Sequence, residues 1–107
     1  MNLLARIASE LPGCVATAAI DTRTGAVLSQ HIESDDPFAA QALAVAIEAA
    51  RACERPPRMV VLSERHIQIL QRRKHEPHCV FVALCARSPN LGFAVALMSS
   101  LIAAEAP

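Results

Sequence analysis

The chain has 107 residues, 53% of them hydrophobic and 19% charged, with ten Lys+Arg against ten Asp+Glu. The length corresponds to one domain, residues 1–107, and the composition is too apolar for a disordered segment. Zero net charge excludes bulk steering onto nucleic acid or an acidic membrane, and a chain with no Trp, no Tyr and three Phe offers no base-stacking platform.

In chain order, Leu3, Leu4, Ile7, Ala8 and Leu11 recur at helical spacing, so Asn2 to Glu10 reads as a helix capped by Asn2 and stopped by Pro12-Gly13. Cys14 to Thr22 reads as a strand and Thr22-Arg23-Thr24-Gly25 as a turn, with Gly25 where positive φ is needed. Ala26 to Glu33 then returns as the second strand of a β-hairpin. Ser34-Asp35-Asp36-Pro37 combines a cap, acids at the positive dipole end and a Pro at the first helical position. The helix it starts runs to about Glu54, is rich in alanine, and ends at Pro56-Pro57. Arg58 to Glu64, His66 to Lys74 and His78 to Arg87 read as three strands of a meander, and Ser88-Pro89-Asn90 opens a last helix to about Glu105. The order is α-β-β-α-β-β-β-α, and hairpin connections imply an antiparallel sheet.

Side-chain parity ranks the strands. Cys14 to Ile20 and Cys79 to Ala86 are apolar on both faces, as expected of strands covered from both sides. The strand Ala26 to Ile32 puts Val27, Ser29 and His31 on one face, and His66 to Arg72 alternates Ile67, Ile69 and Gln71 with His66, Gln68, Leu70 and Arg72. Those two read as peripheral and the first and fifth as central. The expected fold is α+β: a three-layer α/β/α sandwich around one five-stranded antiparallel sheet.

Cys14, Cys53, Cys79 and Cys85 show no CxxC spacing and lie in apolar company, where a thiol behaves as a small hydrophobe. The first residues lack the apolar stretch of a secretory signal. Free thiols and a cytoplasmic, reducing location are expected. The longest uncharged run, Ser88 to Ala104, contains Pro89, Asn90 and three serines and falls short of the ~20 apolar residues of a transmembrane segment.

Three landmarks in this order resemble the roadblock/dynein light chain family: Leu11-Pro12-Gly13-Cys14-Val15 after a leader helix, the hairpin Asp21-Thr22-Arg23-Thr24-Gly25-Ala26-Val27-Leu28, and Pro89-Asn90-Leu91-Gly92 at the last helix. The resemblance covers nearly the whole chain. It departs at the third turn, where Ser63-Glu64-Arg65-His66 lacks the family's glycine, and in the last helix, where nothing ionises between Arg87 and Glu105. The resemblance implies a non-enzymatic scaffold that forms homodimers or heterodimers and binds small Ras-like GTPases or motor and adaptor complexes. Some bacterial members regulate nucleotide hydrolysis by a partner GTPase. It also implies a dimer that pairs third strands edge to edge with the long middle helices side by side.

The residues add their own argument. Met59-Val60-Val61-Leu62 is apolar on both faces and carries no charge or Pro in its middle, the usual guards of a bare sheet edge, so pairing across a two-fold axis is expected. Between Phe38 and Ala50 the middle helix offers only Gln41 and Glu48 as polar residues, and its many alanines allow close helix–helix approach; Ala is also simply the best helix former. The expected dimer residues are Met59, Val60, Val61, Leu62, Leu43, Ile47 and Ala50. A partner surface is expected at Phe93, Leu97 and Leu101 of the last helix, unless the sheet and first helix cover it and leave Ala and Ser outside. Arg72-Arg73-Lys74-His75 is the one basic run, a solvated hairpin tip or a contact for an acidic partner.

Chemistry is poorly supported. His75, His78, Cys79 and Cys85 are zinc-ligand types, but Cys79 and Cys85 are about 20 Å apart along a strand. The three glycines are isolated, so there is no phosphate loop, and no nucleophile arrangement assembles. No cofactor and no metal are expected. The leading expectation is a homodimeric interaction module for a small GTPase or another signalling protein. The alternatives are a profilin-like or PAS-like ligand sensor, for which the central strands offer only Thr17 as a polar lining group, and an enzyme of unknown class.

Overall fold

Asn2 starts the first helix as its side chain permits: Oδ1 accepts the Ala5 N–H at 2.8 Å, satisfying an orphan donor of the first turn. In this computed structural model, which describes residues 2–32, 38–52, 58–63, 65–73, 76–87 and 90–104, helix α1 spans Leu3–Glu10. The Leu11 N–H reaches back to the Ile7 carbonyl at 3.0 Å, and Gly13 (φ 71°) turns the chain into strand β1, Cys14–Asp21. Strand β2 is Ala26–Ile32 and helix α2 is Ala39–Ala52. Strands β3 (Arg58–Leu62), β4 (His66–Arg73) and β5 (Glu76–Ala86) form the meander, and helix α3 (Leu91–Ala104) follows. Ser34 to Pro37, Cys53 to Pro57 and Ser88-Pro89, the expected start and stop signals of α2 and start of α3, lie outside the described residues.

The hairpin between β1 and β2 is held by Asp21. Its Oδ1 accepts the Arg23 N–H at 2.9 Å, its carbonyl accepts the Gly25 N–H at 2.8 Å, and Gly25 takes φ 74°. The turn's bond to Arg23 and the nearby guanidinium hold the Asp21 carboxyl below the usual carboxylate value. Arg51, in the last turn of α2, donates from Nε to the Gly25 carbonyl at 2.8 Å and ties that helix to the hairpin.

The five strands form one antiparallel sheet in the order β2-β1-β5-β4-β3. Helices α1 and α3 share one face, where Leu4, Ile7, Met98 and Ile102 pack on Ile67, Ile69, Phe81 and Ala83. Helix α2 covers the other, where Leu43, Ala46, Ile47 and Ala50 pack on Ala16, Ala18, Ile20, Val80, Val82 and Leu84. The layers and element order are those the sequence implies, with β1 and β5 central and apolar on both faces. Strand β5 starts at Glu76, two residues before the expected His78. No helix among the described residues is long and apolar enough to cross a membrane.

Two strand readings need correction. Strand β4 is not peripheral: it lies between β5 and β3, and its polar residues His66 and Gln68 are buried. The alternation of polar and apolar residues there marks the two sides of a covered strand rather than an exposed one. In β2 a register shift brings Val27 opposite Ile20 while Ser29 faces Ala19. The β-bulge adds one residue at Leu28, so Val27 leaves the face that simple alternation assigns to it with Ser29 and His31.

Candidate interaction surface

Strand β3 is an edge, paired only with β4. Met59, Val60 and Val61 are half-buried and Leu62 is 57% exposed. Met59 and Val61 lean on the core under α2, and Val60 on the core under α3. Arg58, at the start of the strand, is drawn to α3: its guanidinium donates to Ser99 Oγ at 2.7 Å, and that hydroxyl bonds Gln71 Oε1 at 2.9 Å. Arg58 is thus engaged on one side of the sheet, and among the described residues the outer backbone of β3 meets no other strand.

The turn into β4 lacks glycine and works through a hydroxyl instead. The Ser63 N–H donates to the His66 carbonyl at 2.9 Å, and Ser63 Oγ contacts both that carbonyl, at 3.1 Å, and the His66 N–H, at 3.2 Å. The side chain supplies bonds that close the turn. Arg65 then extends over the Phe38 ring, its guanidinium carbon 4.7 Å from the ring centre, a cation–π contact that fastens the turn to the residue ahead of α2. Between them lies an open groove of about 270 Å³ lined by Phe38, Gln41, Ala42, Val45, Ser63, Arg65 and His66. Phe38 and Val45 are 47% and 58% exposed, so a mostly apolar strip runs along α2 beside the β3–β4 turn.

The structure separates the expected dimer residues. Met59, Val60, Val61 and Leu62 lie together at the edge, but Leu43, Ile47 and Ala50 do not face outward: they are 2%, 7% and 0% exposed, seated on the sheet. They hold α2 in place on the sheet. The outer face of α2 belongs to Ala40, Gln41, Ala44, Val45 and Glu48. Alanine on every side of this helix hid which arc was inward.

The expected stripe on α3 also divides. Leu101 is buried at 6% and Leu97 is half-buried against the same core, because α1 and the sheet cover a broad arc that includes Ala94, Met98 and Ile102. Phe93 remains outside at 59% exposure, among exposed Gly92, Ala96, Ser100 and Ala103. Arg72 is half-buried, paired in register with Val80. The Arg73 side chain, Lys74 and His75 lie outside the described residues.

Thr17 is fully buried, and its Oγ1 donates to the Leu4 carbonyl at 2.9 Å. The hydroxyl that a sensor pocket would have used is spent on α1. Cys79 pairs in register with Asp21 and Cys85 with Cys14, at opposite ends of β5, and among the described residues no three His, Cys, Asp or Glu gather as metal ligands.

No family model matches the sequence, and no curated protein matches it at significance. Solved structures do match the fold. MglC from Myxococcus xanthus superposes with a TM-score of 0.75 at 14% identity over 95% of this chain and 92% of that one. A Roadblock/LC7 domain from Streptomyces avermitilis gives 0.68 at 14% identity over 95% and 90%. An MglB in a tetrameric arrangement gives 0.69 at 21% identity over 94% and 79%. The chain therefore has the roadblock/LC7 fold.

Proposed function

We propose that the protein is a non-catalytic, dimeric interaction module of the roadblock kind, one domain over residues 1–107, whose partner is a small Ras-like GTPase or another signalling protein in the cytoplasm. The observation that carries the reading is the β3 edge: four consecutive apolar residues, Met59 to Leu62, end in a side chain 57% exposed, and Val45 on the outer face of α2 is 58% exposed. An unguarded apolar edge is a template for strand pairing, and a two-fold axis through it would set the outer faces of two α2 helices side by side. The dimer surface is then Met59, Val60, Val61 and Leu62 with Ala44, Val45 and Gln41. That set replaces the inward-facing Leu43, Ile47 and Ala50. Dimeric scaffolding of this kind works by shape and apolar complementarity, and the tetrameric arrangement of an MglB with the same fold is in keeping with a self-associating edge.

The partner surface would include Phe93 on α3, with Arg72 and Arg73 at the β4–β5 tip as contacts for an acidic surface. The test is light scattering on the wild type and on Leu62→Asp, whose carboxylate would lie in the pairing seam. The wild type is expected at twice the chain mass and the variant at one chain mass with an unchanged far-UV spectrum. A wild-type monomer at high concentration would reject the dimer. Binding of purified small Ras-like GTPases, loaded with GDP or a GTP analogue, tests the partner class; failure of every one in both states would remove the GTPase while leaving the dimer standing.

A further inference from the structure

Cys14 and Cys85 are partners in register across β1 and β5, and both side chains pack on the core beneath α1 and α3. The Ala86 N–H donates to the Gly13 carbonyl at 2.8 Å. That bond joins the residues flanking the pair on the outer side, which makes Cys14 and Cys85 a non-hydrogen-bonded pair. In such pairs the Cα atoms are about 4.5 Å apart and the side chains at their closest, within the range a disulfide spans. A bulge at Val15 follows immediately, with the register passing from Cys14 opposite Cys85 to Ala16 opposite Leu84, so the strand here is not locked by an unbroken ladder. Neither cysteine is in a disulfide; Cys14 is half-exposed and Cys85 is buried.

From this placement we propose that Cys14 and Cys85 form a reversible dithiol–disulfide site whose substrate is a small-molecule disulfide of the oxidised-glutathione class. Exposure sets the order of events. The Cys14 thiolate, the one within reach of solvent, attacks a sulfur of the small disulfide; its S–S bond breaks, one thiol leaves with a proton, and a mixed disulfide remains on Cys14. The Cys85 thiolate then attacks Cys14 Sγ, expels the second small thiol with the second proton, and closes the intramolecular bond. Two electrons pass from the protein to the small disulfide, which departs as two thiols. Cys85 suits the second role by position: it is buried away from the small disulfide and faces Cys14 across the register. The product would staple the start of β1 to the end of β5 beside the Leu11–Gly13 turn, and the loop it closes is long enough to restrict the unfolded chain strongly.

The site lies under the α1 end of the sheet and is independent of β3, so its test does not depend on dimer formation. The full chain carrying C53S/C79S, equilibrated with oxidised glutathione and then alkylated, is expected to lose two hydrogens in mass and show no reactive thiol. Its Tm should exceed that of the reduced form by roughly 10 °C. Under the same treatment C53S/C79S/C85S is expected to trap one glutathione on Cys14. Peptide mapping of the wild type gives the same reading if the serine variants fold poorly, with a Cys14–Cys85 linked peptide as the expected product. Two alkylated thiols, stable glutathione adducts at both positions, or linkage to Cys53, Cys79 or a second chain would each overturn the proposal.

Discussion

Single side chains along β1 show how little slack the fold has. Thr17 puts a hydroxyl in a fully buried position and satisfies it on the Leu4 carbonyl. Replacing it by Val keeps the shape and deletes the bond, and an intramolecular hydrogen bond of this kind contributes about 0.5–1.5 kcal/mol. T17V is therefore expected to lose about 1 kcal/mol in urea unfolding, with α1 the first element to exchange its amides. Asp21, the last residue of the strand, acts through charge. Its carboxyl is held low by the Arg23 N–H and guanidinium, so the stabilisation is present above the unfolded-state value and is lost as the pH falls through the folded-state value. Asn at this position keeps the acceptor for the Arg23 N–H and removes the charge. The Tm of D21N should trail the wild type at pH 7 and converge with it in strongly acidic solution; a constant offset across that range would assign the effect to shape instead of ionisation.

Among the elements, α2 and β4 show where the sequence is legible and where it is not. Strands β1 and β5 could be ranked as central because every position, odd or even, is apolar, and only covered strands tolerate that. Strand β4 carries His66 and Gln68 on its α2 face, and polar residues read as solvent even though both are buried. Gln68 Oε1 is buried with no hydrogen-bond partner among the described residues, a cost no sequence pattern announces. In α2 the obstacle is the opposite: alanine supports the helix but marks no face, so nothing in the sequence sets Leu43, Ile47 and Ala50 apart from Val45. The difference is measurable. Leu43→Ala opens a cavity in the α2 core and should cost about 2–4 kcal/mol. Val45→Ala, on the outer face, should change the stability of dilute protein by less than about 0.5 kcal/mol while weakening self-association. Equal losses in the two variants would mean that the helix is rotated from the position described. The bulge at Leu28 is illegible in the sequence for a related reason: alternation presumes a constant period of two, and one extra residue resets it.

At the scale of the molecule, ten positive and ten negative side chains cancel, so association through the β3 edge would rest on apolar burial and strand pairing rather than on opposite charge. Dimer mass is then expected to hold when the ionic strength rises from about 0.05 M to 0.5 M, conditions that largely screen exposed ion pairs; dissociation on adding salt would assign the contact to groups such as Arg65 and Glu48. The far side of the sheet matters as much as the near one. Strand β2 is the opposite edge, has no charged residue from Ala26 to Ile32, and exposes Val27, Leu28 and Ile32 at 39%, 58% and 42%. Two copies joined through β3 would make one continuous ten-stranded ribbon whose two rims are both β2. Such a ribbon has identical berths at its left and right margins, related by the same axis, so a ligand chain that docks by adding a strand would bind twice and set the stoichiometry at two to two. The bulge at Leu28 bends each berth away from a straight template, one of the devices by which a sheet edge is kept from joining another of its kind.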